Sequence, residues 1–250
     1  MQKGVLITGI SGGLGQGLYE AFADSDYFVI GIDRVPSRIP RGARYQELTL
    51  DVVDLLGSES LRTEVVNEVD KLLSTYDLEL NCLVNNAAIQ LLGGIDQLSM
   101  EDFDLSLRTN LQVPLQLTLL FKDHLARTSG SVINLDSIHS RLTKPGFISY
   151  ATSKSALSGL TRALAIDLSG RIRVNSIQPA AIRTKMLLAG FEGRESELAQ
   201  LESFHPSGRV GEPREVGNLA VFLASDKCKF INGANVYVDG GIGARLHDPI

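Results

Sequence analysis

The stretch that decides the fold reads Thr8-Gly9-Ile10-Ser11-Gly12-Gly13-Leu14-Gly15. A short apolar run, Lys3 to Thr8, leads into it, and Leu14, Leu18, Ala21 and Phe22 follow at amphipathic helical spacing. Strand, glycine turn and helix in that order set backbone N–H groups and a helix N-terminus against a pyrophosphate. In this reading Gly9 makes the tight turn, Gly13 lets a phosphate approach the backbone, and Gly15 lets helix pack on strand. The spacing is G-x-x-x-G-x-G rather than the commoner G-x-G-x-x-G, so standing alone it would fit a ligand-free glycine loop equally well.

It does not stand alone. Tyr27 to Asp33 reads as a second strand ending in an acid, 18 residues beyond Gly15. A carboxylate at that distance suits the hydroxyls of an adenosine ribose and repels a 2′-phosphate, which favours NAD over NADP. Arg34, Arg38, Arg41 and Arg44 crowd the next stretch, and arginine is a good phosphate fork, so NADP stays open.

Further along, Tyr45 to Leu50 is a third strand ending at Asp51-Val52, and Leu61 to Leu73 marks a helix with one apolar face. Leu80 to Val84 is a fourth strand, closed by Asn85-Asn86-Ala87-Ala88. A helical stretch runs from about Ser99 through Asn110 to Leu125, with a kink or boundary expected at Pro114. Ser131 to Asp136 and Ile172 to Ile177 are the fifth and sixth strands, with another helix between them. Strands alternating with helices, without repeats or low-complexity linkers, predict a single α/β domain: a Rossmann-like, doubly wound parallel sheet with helices on both faces. The strand ends carrying Gly9, Asp33, Asp51, Asn86, Ser137 and Pro179 would then collect along one edge, over one crevice.

Composition narrows the function. The 250 residues suffice for one substantial core. A net charge of -5, with no Lys/Arg cluster interleaved with aromatics, argues against a nucleic-acid partner. Cys82 and Cys228 are unspaced, which suits reduced thiols, and His124, His139, His205 and His247 have no metal-ligand spacing. The apolar Val5-Leu-Ile7 passes straight into the glycine turn, so neither a signal peptide nor a membrane span is expected; the protein is expected to be soluble and cytoplasmic.

Residues 150 to 154 read Tyr150-Ala-Thr-Ser-Lys154, inside an apolar-periodic helical run. Positions four apart share a helix face, so phenol and ammonium point into the same space. A phenol titrates near ~10, and a cation about 4 Å away in a partly screened site is worth roughly 4 kcal/mol. That predicts a fall of about three units, to near neutrality. Taken alone, a Tyr and a Lys at this spacing share a face by chance often enough to explain the pair.

Together these residues resemble the short-chain dehydrogenase/reductase superfamily, in its short single-domain branch, over nearly the whole chain. Thr8-Gly9 to Gly15 matches its T-G-x-x-x-G-x-G loop, Asn85-Asn86-Ala87-Ala88 is similar to N-N-A-G, and Tyr150 to Lys154 matches Y-x-x-x-K. Ser137, thirteen residues before Tyr150, stands where the family keeps a catalytic serine, and Asn110 where it keeps a helix-kink asparagine. Pro179-Ala180-Ala-Ile182-Arg-Thr184 resembles the family's nicotinamide-binding P-G-x-x-x-T, and Gly208 to Pro213 and Asn232 to Gly241 resemble its closing motifs.

The resemblance implies hydride transfer between nicotinamide and a secondary alcohol or ketone. Tyr150 would be acid and base, Lys154 would tune it, Ser137 would hydrogen-bond the substrate oxygen, and Asn110 would hold a water leading to Lys154. Cofactor contacts fall on Gly9, Gly12, Gly13, Leu14, Gly15, Asp33, Arg34, Asp51, Val52, Asn86, Ala87, Ala88, Tyr150, Lys154, Pro179, Ile182 and Thr184, and no metal is implied. Ala88 and Ala180 stand in place of glycine, which predicts added bulk near the cofactor and, at Ala180, a disfavoured positive φ. Residues 185–205, apolar on one face with Gly190 and Gly193 as hinges, are expected to form a substrate lid.

Gln90, His139, Arg141 and Lys144 suit either a polar pocket or solvated loops. The substrate class stops at a small secondary alcohol or ketone, with a lean to a polar one such as a sugar or hydroxy acid derivative; no membrane partner is implied. Family resemblance at helices 101–125 and 150–168 implies a homotetramer, with a dimer second. Two alternatives accompany this reading. One is a nucleotide-sugar epimerase or dehydratase, which needs a larger C-terminal substrate region; the other is an NAD(P)-sensing regulator, for which an intact Asn110, Ser137, Tyr150 and Lys154 set has no use.

Overall fold

The computed structural model describes residues 1–40, 42 and 44–246; Arg41, His247 and the Met186 side chain, part of the apolar lid face, lie outside the described residues. Seven strands form one parallel sheet in the order β3-β2-β1-β4-β5-β6-β7. They are β1 (Gln2–Thr8), β2 (Phe28–Asp33), β3 (Tyr45–Thr49), β4 (Leu78–Asn85), β5 (Ser131–Leu135), β6 (Arg173–Pro179) and β7 (Asn235–Val238). The first six lie where the apolar runs predicted them. β7 carries no such signal, because a four-residue edge strand with its residues half-buried or exposed has no apolar run to show.

The helices are α1 (Gly13–Asp24), α2 (Glu59–Thr75), α3 (Met100–Leu107), α4 (Val113–Arg127), α5 (Ile148–Asp167), α6 (Lys185–Ala189), α7 (Glu195–Phe204) and α8 (Pro213–Ala224). Alternation along each strand feeds two apolar layers. In β1, Leu6 packs into the layer with Val69 of α2, Phe121 of α4 and Ala165 of α5. Val5 and Ile7 pack into the opposite layer with Phe22 of α1 and Val216 and Leu223 of α8. With both faces covered, the central strands are largely buried on both sides, as in other parallel sheets. No helix among the described residues is long and apolar enough to cross a membrane.

Two expectations gain detail. The helix expected through 99–125 is broken by a π turn at Arg108–Gln112, which carries Asn110. The boundary expected at Pro114 is present: α4 begins at Val113, with Pro114 in its first turn, directly after the π turn. At Ala180 no strain exists. The described non-glycine residues with positive φ are Asp26, Asp77 and Ser129, and the Ala180 N–H donates to the Val238 carbonyl at 3.1 Å.

The chain leaves β1 in one direction to β2 and returns to its other side as β4. Between the carboxyl ends of β1 and β4 the crossovers diverge and open a crevice, which is where such sheets bind ligands.

Candidate active site

The glycine turn is built as a cradle. Gly9 has a φ of 67°, and its N–H donates to the Ile32 carbonyl at 2.8 Å, which ties the turn to β2. A Cβ on Gly15 would stand 2.3 Å from the Gly9 carbonyl oxygen, so α1 packs on the turn only without a side chain there. Gly13 allows a different approach from the one expected: its missing Cβ leaves room for Thr184, whose Cβ would be 2.8 Å away. The first turn of α1 carries no acid, and its cap residue Gly12 offers no side-chain hydrogen bond. Leu14 is partly buried against the α1/α8 layer. A long helix presenting uncapped N–H groups at a glycine turn fits the diphosphate of a dinucleotide.

Asp33 ends β2 beside this turn. Its Oδ2 accepts from the Ser11 N–H at 2.9 Å and its Oδ1 from the Val35 N–H at 3.3 Å, and each oxygen keeps further lone-pair capacity. Arg34 and Arg38 are exposed. Arg44 pairs with Asp26 at 2.6 Å, at the opposite edge of the sheet from Asp33.

The Asn85-Asn86-Ala87-Ala88 signature clamps β4 to β1. The Thr8 hydroxyl accepts from the Asn86 and Ala87 N–H groups, both at 3.0 Å. Asn86 Nδ2 returns bonds to the carbonyls of Thr8 (2.9 Å) and Gly9 (3.0 Å). Ala88 is exposed, so its Cβ points into no packed contact. Asp51 Oδ1 caps the short turn after β3 by accepting from the Val53 N–H at 3.0 Å, while the Val52 side chain is buried in the core. Pro179 ends β6, and Ile182 is buried against Gly211.

Asn110 is buried in the π turn. Its Oδ1 accepts from the Ile89 N–H at 2.9 Å, and its Nδ2 donates to the Ile89 carbonyl (2.9 Å) and to Ser153 Oγ (3.0 Å). Both amide hydrogens are thereby used, and one Oδ1 lone pair remains for a water. Ser153 lies between Tyr150 and Lys154, so Asn110 fixes the α5 turn that carries them.

On α5 the Lys154 Nζ lies 5.7 Å from the Tyr150 ring centroid and donates to the Leu135 carbonyl at 2.6 Å. Lys154 is fully enclosed and Tyr150 half-buried. The expected fall of the phenol toward neutrality is not what this arrangement produces. Burial pushes Tyr150 up to about 12, the Ser137 hydroxyl opposes it, and Asp136 adds to the rise. Burial draws Lys154 down to about 8, against Asp136. Burial and the Asp136 charge, neither of which follows from the four-residue spacing to Lys154, set the direction. Ser137 is buried at the end of β5, its Oγ accepting from the His139 N–H at 3.1 Å.

His139 stacks on Phe147 with ring centroids 4.3 Å apart and meets the Tyr150 ring edge-on at 5.8 Å. Burial pulls its imidazole down to about 4, so it is neutral at neutral pH. Gln90, Arg141 and Lys144 are exposed, and Arg141 turns toward Tyr237. Sequence reasoning missed Asp136 and Gln178, both buried beside the site and bonded to each other at 2.9 Å. The available signal was an acid at the end of an apolar strand, immediately before Ser137.

A family model described as Enoyl-(Acyl carrier protein) reductase matches residues 9–243. Meso-2,3-butanediol dehydrogenase of Serratia marcescens is 30% identical, over 99% of this chain and 97% of its own. The ligand-free aldohexose dehydrogenase of Thermoplasma acidophilum superposes with a TM-score of 0.89 at 28% identity, covering 100% of this chain and 97% of that one. ElxO with NADP bound superposes with a TM-score of 0.87 at 28% identity, covering 98% of this chain and 100% of that one.

Proposed function

We propose, from the premise that the chain belongs to the short-chain dehydrogenase/reductase superfamily, that Tyr150 exchanges a proton with the oxygen of a secondary alcohol or ketone in an NAD-dependent reaction. The chain is an oxidoreductase acting on CH–OH groups. The observation that carries the finer reading is the meeting of Ser137, Tyr150 and Lys154 at the carboxyl end of β5, at the same sheet edge as the glycine cradle.

Gly9, Gly12, Gly13 and Gly15 would hold the diphosphate, Asp33 the adenosine ribose, and Lys154 the nicotinamide ribose. The nicotinamide supplies or accepts hydride when bound. The chain's own groups handle the proton and the oxygen. Ser137 Oγ donates a hydrogen bond to the substrate oxygen, Tyr150 Oη gives or takes the proton there, and Lys154 relays it. Asn110 keeps the α5 turn in register through Ser153.

Asp33 at the cradle and Arg44 engaged elsewhere support NAD over NADP. α6 and α7 form the proposed lid, with Arg183 tying its base to Glu202 on α7 and to Glu212 at the start of α8. A vicinal diol and an aldohexose, the substrates named for two relatives, support a polar alcohol here. Leu119 of α4 and Ile166 of α5 are exposed, which supports assembly through these helices into a homotetramer; sedimentation velocity reads its stoichiometry.

Tyr150→Phe is the test. With the cradle untouched, nicotinamide fluorescence should titrate as before, while turnover on an alcohol panel falls by roughly 10²- to 10⁴-fold. Turnover at the normal rate would remove Tyr150 from the mechanism.

A further inference from the structure

Asp136 is the residue immediately before Ser137, and its side chain is 5% exposed. Its N–H is fixed on the Ile177 carbonyl at 2.8 Å. Its Oδ2 accepts from Ser158 on α5 and from Gln178 Nε2 on β6, the latter at 2.9 Å. Gln178 Nε2 also reaches Ser140 Oγ at 2.7 Å and Ser158 Oγ at 2.9 Å. β5, β6 and α5 therefore converge to hold one carboxylate still, while its Oδ1 is buried without a hydrogen-bond donor among the described residues. The preceding carbonyl, Leu135 O, is the one that takes Lys154 Nζ at 2.6 Å.

A buried carboxylate with one bare oxygen is costly, and so is a buried ammonium; the opposite charge of the other offsets part of each cost. Burial raises the Asp136 carboxyl above its ordinary value, and Lys154, with the hydrogen bonds from Ser158 and Gln178, opposes that rise and favours the carboxylate. Among the described residues, Lys154 is the one charge that acts on Asp136, and Asp136 the one charge that acts on Lys154 and on Tyr150. The other groups around them are neutral: Ser158 on α5, Gln178 on β6, Ser140 in the turn after β5, and His139 on the far side of the Tyr150 ring.

We propose that Asp136 is a positioning residue that keeps the proton on the Lys154–Tyr150 pair and so tilts the site toward protonating a substrate carbonyl. This rests on the acid–base reading of Tyr150 given above. The sign is the same for both groups, because an anion beside them favours their protonated forms. Asp136 opposes the burial that lowers the Lys154 ammonium, and it adds to the burial that raises the Tyr150 phenol. In reduction the substrate carbon would gain hydride from the bound nicotinamide, the Tyr150 O–H bond breaks as the new O–H bond forms on the substrate oxygen, Lys154 returns a proton to the phenolate, and water restores the Lys154 proton. Without the carboxylate both groups release their protons at lower pH, which favours oxidation instead.

The test reads Lys154 without turnover. Protein labelled with ¹³C at lysine Cε is titrated by NMR, and the Lys154 resonance is the one absent from Lys154→Gln. A midpoint near about 8 is expected in the unaltered protein. In Asp136→Asn, which keeps an oxygen for Ser158 and Gln178, it should fall by about one unit or more, a tenfold loss of proton affinity. Asp136→Ser removes the same charge with less bulk and gives a second reading should the Asn variant not fold. With an alcohol the unaltered protein oxidises, the pH of half-maximal kcat/KM should fall in the same variants. A Lys154 midpoint unmoved in the folded variants overturns the proposal. A shifted midpoint in a protein that turns over no alcohol or ketone supports the control of Lys154 by Asp136 and instead defeats the acid–base reading.

Discussion

Asp33 shows how far a single residue can be taken. Its position 18 residues beyond Gly15 marked it as the ribose acceptor, and its carboxylate is held at the turn by the Ser11 and Val35 N–H groups. Hydrogen bonds to a charged group are worth roughly 1.5–3 kcal/mol, so Asp33→Ala should weaken NAD by roughly 10- to 100-fold. The same change removes the repulsion felt by a 2′-phosphate, and NADP should tighten. Parallel fluorescence titrations with both cofactors decide it; an unchanged ratio counts against Asp33. The residues of the candidate site could be named because their motifs are local. Their protonation could not be read, because the pKa of Tyr150 depends on burial and on Asp136, neither of which the four-residue spacing to Lys154 encodes. The Gln178–Asp136 contact joins positions 42 apart, with no periodicity to announce it.

At the scale of elements, α1 and α8 are the helices pressed most closely together. A Cβ on Gly217 of α8 would lie 2.4 Å from the Gly17 carbonyl oxygen of α1 and 2.8 Å from the Ala21 Cβ. Gly217→Ala must therefore prise the two helices apart. Overpacking of this kind costs typically 1–3 kcal/mol, so the urea midpoint should drop while cofactor affinity per folded molecule holds. A midpoint equal to that of the unaltered protein would mean the helices yield freely. Apolar periodicity revealed α1 and α2, and Pro114 marked the boundary within 99–125, but the π turn just before it left no sign in the sequence because it is one turn long. α8 follows the closing motif Gly208 to Pro213 and begins with a proline and a capping box of Glu212 and Glu215; those signals were present in the sequence and were absorbed into the family motif.

For the whole molecule, the buried groups set a limit on the alkaline side. Burial raises Cys82 from 9.0 to about 12 and Tyr27 from 10.0 to about 12, and Tyr150 rises likewise. The folded state keeps protons that the unfolded chain has released, so stability falls as pH rises across these windows. The decline should begin near pH 9 with Cys82, at up to about 1.4 kcal/mol per pH unit, and steepen above 10 as the tyrosines join. Cys82→Ala should delay the onset to about pH 10 in urea denaturation series; an onset unmoved by that substitution would exclude the thiol as its source. The doubly wound sheet itself was readable from six apolar runs, and the seventh strand was not, because an edge strand need not be apolar. The hydrogen bond from Asn86 N–H to the Thr8 hydroxyl spans 78 residues of chain. On the ribosome the glycine turn is thus made early and its clasp late. Until residue 87 of 250 has emerged, the Thr8 hydroxyl lacks both of its backbone donors, and a nascent polypeptide has no finished cradle with which to sequester nucleotide.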